Sequence, residues 1–142
     1  MTFEAPDYGA SLRECVRGYK GAHERAVLRT PDVYGLFARL FAHPRLPGSA
    51  RPIVNAVLAY FVASDDVLPE EKLGPYGLLD DLFVAAHAYR LLRREMIPDD
   101  LVAALWRAEG DPDEVMAEIY TESRAAVGKE GRVALKMAGI AK

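Results

Sequence analysis

The side chains with the most chemical potential in this sequence are acids concentrated between residues 65 and 81. Six carboxylates and a single lysine lie in this stretch, around a loop rich in proline and glycine. A loop of this kind between two helices usually returns the chain antiparallel, so its two ends can lie close together. Carboxylates from both ends would then suit a hard divalent cation such as Mg²⁺, Mn²⁺ or Ca²⁺. The candidate ligands are Asp66, Glu70, Asp80 and Asp81.

The same acids have a structural interpretation that needs no ion. Asp66 can cap a turn before Pro69, whereas Asp80 and Asp81 suit a helix N-terminus, where acids are favoured. Adjacent residues of a helix point about 100° apart, so Asp80 and Asp81 would not easily chelate one ion together. We therefore prefer the structural interpretation and keep a metal-dependent, hydrolase-like enzyme as the alternative.

Other catalytic constellations find little support. His87 lies two helical turns, about 10 Å, beyond Asp80, and no Glu-x-x-His motif of the di-iron bundles occurs. Cys15 falls within an apolar stripe, which predicts an inert core thiol. Neither a Gly-x-Ser-x-Gly elbow nor a Gly-rich phosphate loop is present. These observations favour a non-enzymatic protein without a cofactor.

Composition predicts one helical domain over residues 1–142. About half of the residues are apolar, Cys15 is the only cysteine, and no apolar leader precedes it, so we expect a cytoplasmic protein. The longest apolar run, residues 53–63, is too short to span a membrane. Residues 1–60 carry a formal charge of +3 and residues 61–142 one of −6. This asymmetry favours docking between halves or subunits and does not suit nucleic acid.

Apolar spacing and capping residues predict an all-α bundle of about six or seven helices. A strand-like alternation is absent, and the apolar third helix should lie at the centre. The C-terminal residues 128–142 are expected to be peripheral. The predicted helices cover about residues 8–28, 30–41, 50–64, 78–94 and 97–106, then a helix that starts at about residue 111 and includes residue 120, and finally residues 133–142.

The outer face of the predicted first helix is basic. An acidic partner or an anionic membrane surface could bind such a face, although solvent exposure alone also explains it. The basic residues are Arg13, Arg17, Lys20 and Arg25.

The central run resembles a known family. Tyr60, then Asp66-Val-Leu-Pro69-Glu70, then Gly77-Leu-Leu-Asp80-Asp81 match the motif of the YkvA-like family, domain of unknown function 1232. The match covers about residues 52–92. Glu70 replaces the usual Asp, and the loop is one residue longer than the family pattern. The resemblance implies an α-helical fold and carries no established activity.

Together these features favour a module that works by protein contact, either with a partner or as a homo-oligomer. The metal-dependent enzyme is the first alternative. Peripheral membrane association through the first helix or the basic tail at Lys136–Lys142 is the second.

Overall fold

The computed structural model describes residues 8–62 and 77–140, and these residues form an all-α bundle, as the sequence predicts. Eight α-helices occur in these two ranges. In chain order they are α1 Tyr8–Val16, α2 Glu24–Leu28, α3 Thr30–Ala42, α4 Arg51–Val62, α5 Leu79–Glu95, α6 Asp99–Leu105, α7 Pro112–Val127 and α8 Glu130–Met137. None of these helices combines the length and the apolar character that crossing a bilayer requires.

The first predicted helix is wrong as a single element, because the structure divides it into α1 and α2. After Val16 the chain turns, with the amide of Tyr19 donating to the Val16 carbonyl at 2.9 Å. Gly18 and His23 adopt left-handed backbone angles, which an α-helix cannot contain. The apolar spacing continues across this turn, so periodicity alone does not detect the break. Cys15 lies within α1 and is exposed, contrary to the predicted core position, because α1 buries the face that carries Leu12 and Val16.

Helix α5 is the most completely buried helix of the bundle. Every residue from Leu78 to Ala86 is buried, and α5 contacts α2, α3, α4, α7 and α8. The predicted apolar helix α4 also contributes to the core, because it packs between α3 and α5 through Val54, Val57 and Phe61. The sequence pattern identified both helices but did not show that α5 is buried on more sides than α4.

Capping residues mark the N-terminal ends of α7 and α3 in the sequence. The pair Asp111-Pro112 predicts a capped helix start, and Asp111 does cap α7, because its carboxylate accepts a hydrogen bond from the amide of Glu114 at 3.1 Å. The pair Thr30-Pro31 predicts the same kind of capped start for α3, but the Thr30 hydroxyl donates to the carbonyl of Val27 at 2.7 Å instead.

Helix α8 shows that the C-terminal segment packs against the bundle. It begins at Glu130, before the predicted start at Val133, and it buries Ala134 and Leu135. The amide of Ile140 donates to the carbonyl of Leu135, beside a left-handed Gly139 that closes the helix. Residues 130–137 are therefore an ordered part of the fold.

Gly131 allows α8 to approach α5 closely. A Cβ at this position would lie 3.0 Å from the ring of Phe83, which is itself stacked on Tyr120 with centroids 5.7 Å apart. We expect Gly131→Ala to lower the free energy of unfolding by about 1–2 kcal/mol, because the ring cannot move freely. Urea denaturation of Gly131→Ala and of Gly48→Ala measures this, since an added Cβ at Gly48 meets no atom within 4 Å. Equal stabilities of the two variants would contradict the close packing of α8.

Candidate functional site

The acidic motif lies partly inside the core. Asp80 and Asp81 occupy the first turn of α5 and are 0% and 1% exposed. Packing of α4 on α5 brings Tyr60 to this turn, where its hydroxyl donates to Oδ2 of Asp80 at 2.9 Å. Burial of a carboxyl group is costly unless hydrogen bonds compensate it, so this contact ties α4 to α5. The sequence indicated the helix start but not the burial of its acids.

The predicted metal site is only partly described by the structure. Asp66 and Glu70 lie outside the described residues, whereas Asp80 and Asp81 both lie within the core. Among residues 8–62 and 77–140, no cluster of three or more histidine, cysteine or acidic side chains is arranged to hold a metal ion. The four-carboxylate site therefore stays a prediction.

The four basic residues predicted to form an interaction face are all exposed, but the turn between α1 and α2 divides them. Arg13 lies in α1, and Arg17 follows that helix, with its guanidinium 3.4 Å from Glu14. Lys20 is in the turn. Arg25 belongs to α2 and lies 3.2 Å from Glu118 of α7, so it helps to join two helices.

A larger basic feature is the groove between the antiparallel helices α5 and α7. We call this cavity of about 610 Å³ the arginine groove. Four of its side chains are arginines and two are tyrosines. It is lined by Tyr89, Arg90, Arg93, Arg94, Asp113, Met116, Ala117, Tyr120, Thr121 and Arg124.

One end of the arginine groove is closed by a hydrogen-bonded network. Asp113, at the start of α7, accepts hydrogen bonds from the Tyr89 hydroxyl at 2.5 Å and from Arg93 Nε at 3.0 Å. Arg93 also donates to the carboxylate of Asp99 and, at 2.9 Å, to the carbonyl of Ile97. The network therefore fastens the C-terminal turn of α5 to the starts of α6 and α7.

The hydrogen bonds of this network shift the pKa values of its members so that Asp113 and Arg93 stay charged and Tyr89 stays neutral. The hydrogen bonds from Arg93 and Tyr89 hold the pKa of Asp113 below its usual range. Burial, together with the hydrogen bond to Asp113, raises the pKa of Tyr89, and the hydrogen bond to Asp113 also raises the pKa of Arg93. The positive charge of Arg93 is thus balanced by the carboxylates of Asp99 and Asp113. Tyr89 stays protonated at physiological pH.

The other three arginines of the groove have no such partners within residues 8–62 and 77–140. Arg90 lies over the ring of Tyr120, with its guanidinium carbon 4.3 Å from the ring centroid. Among the described residues, Arg90, Arg94 and Arg124 form no ion pair. Within the part of the chain that the structure describes, the groove beyond Arg93 therefore carries positive charge that no carboxylate balances.

His87 responds to this positive charge. Burial lowers its pKa, and the nearby charges of Arg90 and Arg94 lower it further. Its ring lies 6.4 Å from that of Phe83 at the edge of the core. His87 thus lies against the core with a ring whose protonation is disfavoured.

The sequence predicted only part of the arginine groove. A cluster of arginines is typical of a helix C-terminus, and Arg93 and Arg94 do lie in the last turn of α5, with Arg90 one turn before. No local pattern connects Arg124 with them, because it lies 30 residues beyond Arg94 on another helix. Only the antiparallel packing of α5 and α7 brings it to the same groove.

Comparison with known proteins agrees with the motif at the start of α5. A family described as "Protein of unknown function (DUF1232)" matches residues 50–87. The "Uncharacterized protein ORF9" of Methanothermobacter thermautotrophicus is 32% identical over 129 residues, which cover 91% of this chain and 88% of the relative. The chain belongs to the DUF1232 family. No solved structure matches it significantly.

The DUF1232 segment begins beside α4 and ends within α5, close to the predicted range of 52–92. It contains Tyr60, Asp80 and Asp81, and therefore the buried contact between α4 and α5. The arginine groove lies C-terminal to it. The DUF1232 match thus covers α4 and the first half of α5. The groove is formed by the second half of α5 and by α7, which packs on α5.

The buried contact of the DUF1232 segment can be tested by removing the Tyr60 hydroxyl. We expect Tyr60→Phe to lower the free energy of unfolding by about 1–3 kcal/mol, because it removes a hydrogen bond to a buried carboxylate. Tyr19→Phe is the matched control, since the Tyr19 hydroxyl donates to the Ala22 carbonyl at an exposed turn. Chemical denaturation of both variants measures the difference. A loss no larger than that of Tyr19→Phe would show that the contact contributes little.

The contribution of Asp113 to stability should depend on pH. The lowered pKa of Asp113 means that its carboxylate stabilises the fold above the unfolded pKa, and this contribution is lost as the pH falls through the folded pKa. We expect Asp113→Asn to cost about 1 kcal/mol at neutral pH, after allowance for solvent screening, and progressively less in acid. Denaturation curves at several pH values, with the exposed Glu109→Gln as the control, measure this change. A cost independent of pH would contradict the proposed ion pairing.

Proposed function

We propose that this DUF1232 protein is a non-enzymatic module that binds an acidic segment of a partner protein in the arginine groove. The observation that carries the proposal is the set of three arginines, Arg90, Arg94 and Arg124, that have no carboxylate partner in the described part of the chain. Guanidinium groups bind carboxylates with paired, charge-assisted hydrogen bonds, so an acidic peptide offers matching chemistry.

The dimensions of the groove suit a peptide. From Asp113 to Arg124 the α7 wall rises about 16 Å, which is the length of about five residues of extended chain. Met116 and Tyr120 supply an apolar floor between the charged groups. A segment that alternates acidic and apolar side chains would use both surfaces.

The charge distribution favours protein over nucleic acid. The whole chain has a formal charge of −3, and Asp113 lies within the groove itself. A phosphate backbone requires a broad basic surface, because every contacted nucleotide adds negative charge. A short acidic peptide needs only the few guanidinium groups that the groove presents.

The hydrogen bonding of Tyr89 in the groove supports binding rather than catalysis. The hydroxyl of Tyr89 donates to Asp113, and burial raises its pKa, so it holds two helices together and does not supply a nucleophile. The metal-dependent enzyme, the peripheral membrane protein, the homo-oligomer and the cytoplasmic location stay predictions from the sequence.

The proposal is tested with a fluorescein-labelled peptide of alternating glutamate and leucine and a counterpart of lysine and leucine. We expect saturable binding of the acidic peptide alone, measured by fluorescence anisotropy, and weaker binding at higher salt. The double variant Arg94→Gln/Arg124→Gln should bind about tenfold more weakly, because two charge-assisted contacts are lost. The matched control, Arg17→Gln/Arg132→Gln, removes the same charge from other exposed positions.

Three results would overturn this function. One is the absence of saturable binding of the acidic peptide. Another is an equal loss of affinity in the two double variants, which would indicate unspecific attraction. The third is binding to vesicles of anionic phospholipid that depends on Arg94 and Arg124 while the peptide does not bind, which would indicate a membrane site.

A further inference from the structure

A second basic cleft lies on the opposite side of α3 from the core, where α1 and the residue after Trp106 approach it. This cleft of about 430 Å³ is lined by Arg39 of α3, by Arg107 and by Arg13, one of the basic residues predicted to form an interaction face. It is separate from the arginine groove and shares no lining residue with it.

Arg39 is held in place by the fold. Its Nε donates to the backbone carbonyl of Leu105 at 2.8 Å, which fixes the plane of the guanidinium group. Neither terminal nitrogen, Nη1 or Nη2, has an acceptor among residues 8–62 and 77–140. An arginine that is anchored through Nε and keeps both terminal amino groups available is preorganised for an oxyanion.

Gly35 provides the space for this arrangement. It lies in the interior of α3, where glycine destabilises a helix relative to alanine. A Cβ at Gly35 would lie 3.0 Å from Nη1 and 3.2 Å from Nη2 of Arg39. The absence of a side chain therefore lets the guanidinium fold back over the helix at the wall of the cleft.

The cleft carries excess positive charge. Burial lowers the pKa of Arg39, and the neighbouring charge of Arg107 lowers it further, while Asp32 acts in the opposite direction. Asp32 also lines the cleft, but it lies 3.3 Å from Arg29, which shares its charge. An anion between Arg39 and Arg107 would relieve the repulsion between them.

The remaining walls are largely apolar. Tyr34, Ala38 and Pro31 line the cleft beside the arginines, and the ring of Tyr34 is held edge-to-face against Tyr8, with centroids 5.0 Å apart. The cleft volume of about 430 Å³ is larger than an inorganic ion needs. It falls within the range of small-molecule sites, which begins at about 300 Å³. The ligand should therefore combine an oxyanion with an apolar body.

We propose that this cleft binds a small organic oxyanion, with Arg39 and Arg107 on the anionic group and Tyr34 and Ala38 against the apolar body. A phosphate monoester and a carboxylate share this chemistry. The inference does not depend on the arginine groove, because the two sites use different residues.

The test is calorimetric titration of the full chain with phenyl phosphate, benzoate and inorganic phosphate at constant ionic strength. We expect phenyl phosphate or benzoate to bind at least fivefold more tightly than inorganic phosphate, and the tighter of the two identifies the oxyanion. Arg39→Lys and Arg107→Gln should each weaken that binding at least fivefold, because an ammonium or an amide cannot replace the guanidinium fork. Arg132→Gln is the charge-matched control.

Gly35→Ala separates binding from stability. Alanine favours the helix, so we expect the variant to unfold at the same temperature as the original protein or higher, while its Cβ displaces Arg39 and ligand binding falls at least fivefold. Gly48→Ala should bind like the original protein. The inference is overturned if neither organic anion binds, if inorganic phosphate binds equally well, or if Gly35→Ala retains full affinity.

Discussion

The burial of α5 is the constraint on which the other helices depend. Its residues from Leu78 to Ala86 are excluded from solvent, so neighbouring helices must cover it on several sides. Helices α4, α7 and α8 each present one apolar face to it. Burial of Asp80 and Asp81 in the first turn adds a polar requirement to this apolar contact, and the Tyr60 hydroxyl meets part of it. The DUF1232 segment therefore contains the residues that hold α4 against α5.

The two ends of α5 have opposite charge, and each end suits its position. Aspartates lie at the N-terminus and arginines at the C-terminus, which is the order that the helix dipole favours. The aspartates are buried, whereas the arginines reach the surface, and of these Arg93 is joined to Asp113 and Asp99. The charge that this network leaves uncompensated is what makes the arginine groove a candidate binding surface. The same helix therefore supplies both a structural centre and a binding wall.

Local sequence signals predicted the elements that have strong caps and uninterrupted periodicity. Helix α7 begins after its capping Asp111, and α5 ends with its basic turn, both as expected. The prediction failed at residues 8–28, where Gly18 and a left-handed His23 interrupt a stripe that remains periodic. It also failed for the environment of Cys15, because α1 buries only the narrow face that carries Leu12 and Val16. Glycines within this stripe were the signal that could have shown the break.

The sequence by itself determined the all-α class, most helix boundaries, the family and the position of the charged clusters along the chain. These properties depend on residues that are near one another, through periodicity, capping and composition. Only the tertiary structure decided that Arg124 joins Arg94 in one groove, and that Arg39 lies over Gly35 with its Nε on the carbonyl of Leu105. Periodicity tells which face of a helix is buried but not which helix covers it. Contacts between residues distant in the chain therefore had to come from the packing of the whole bundle.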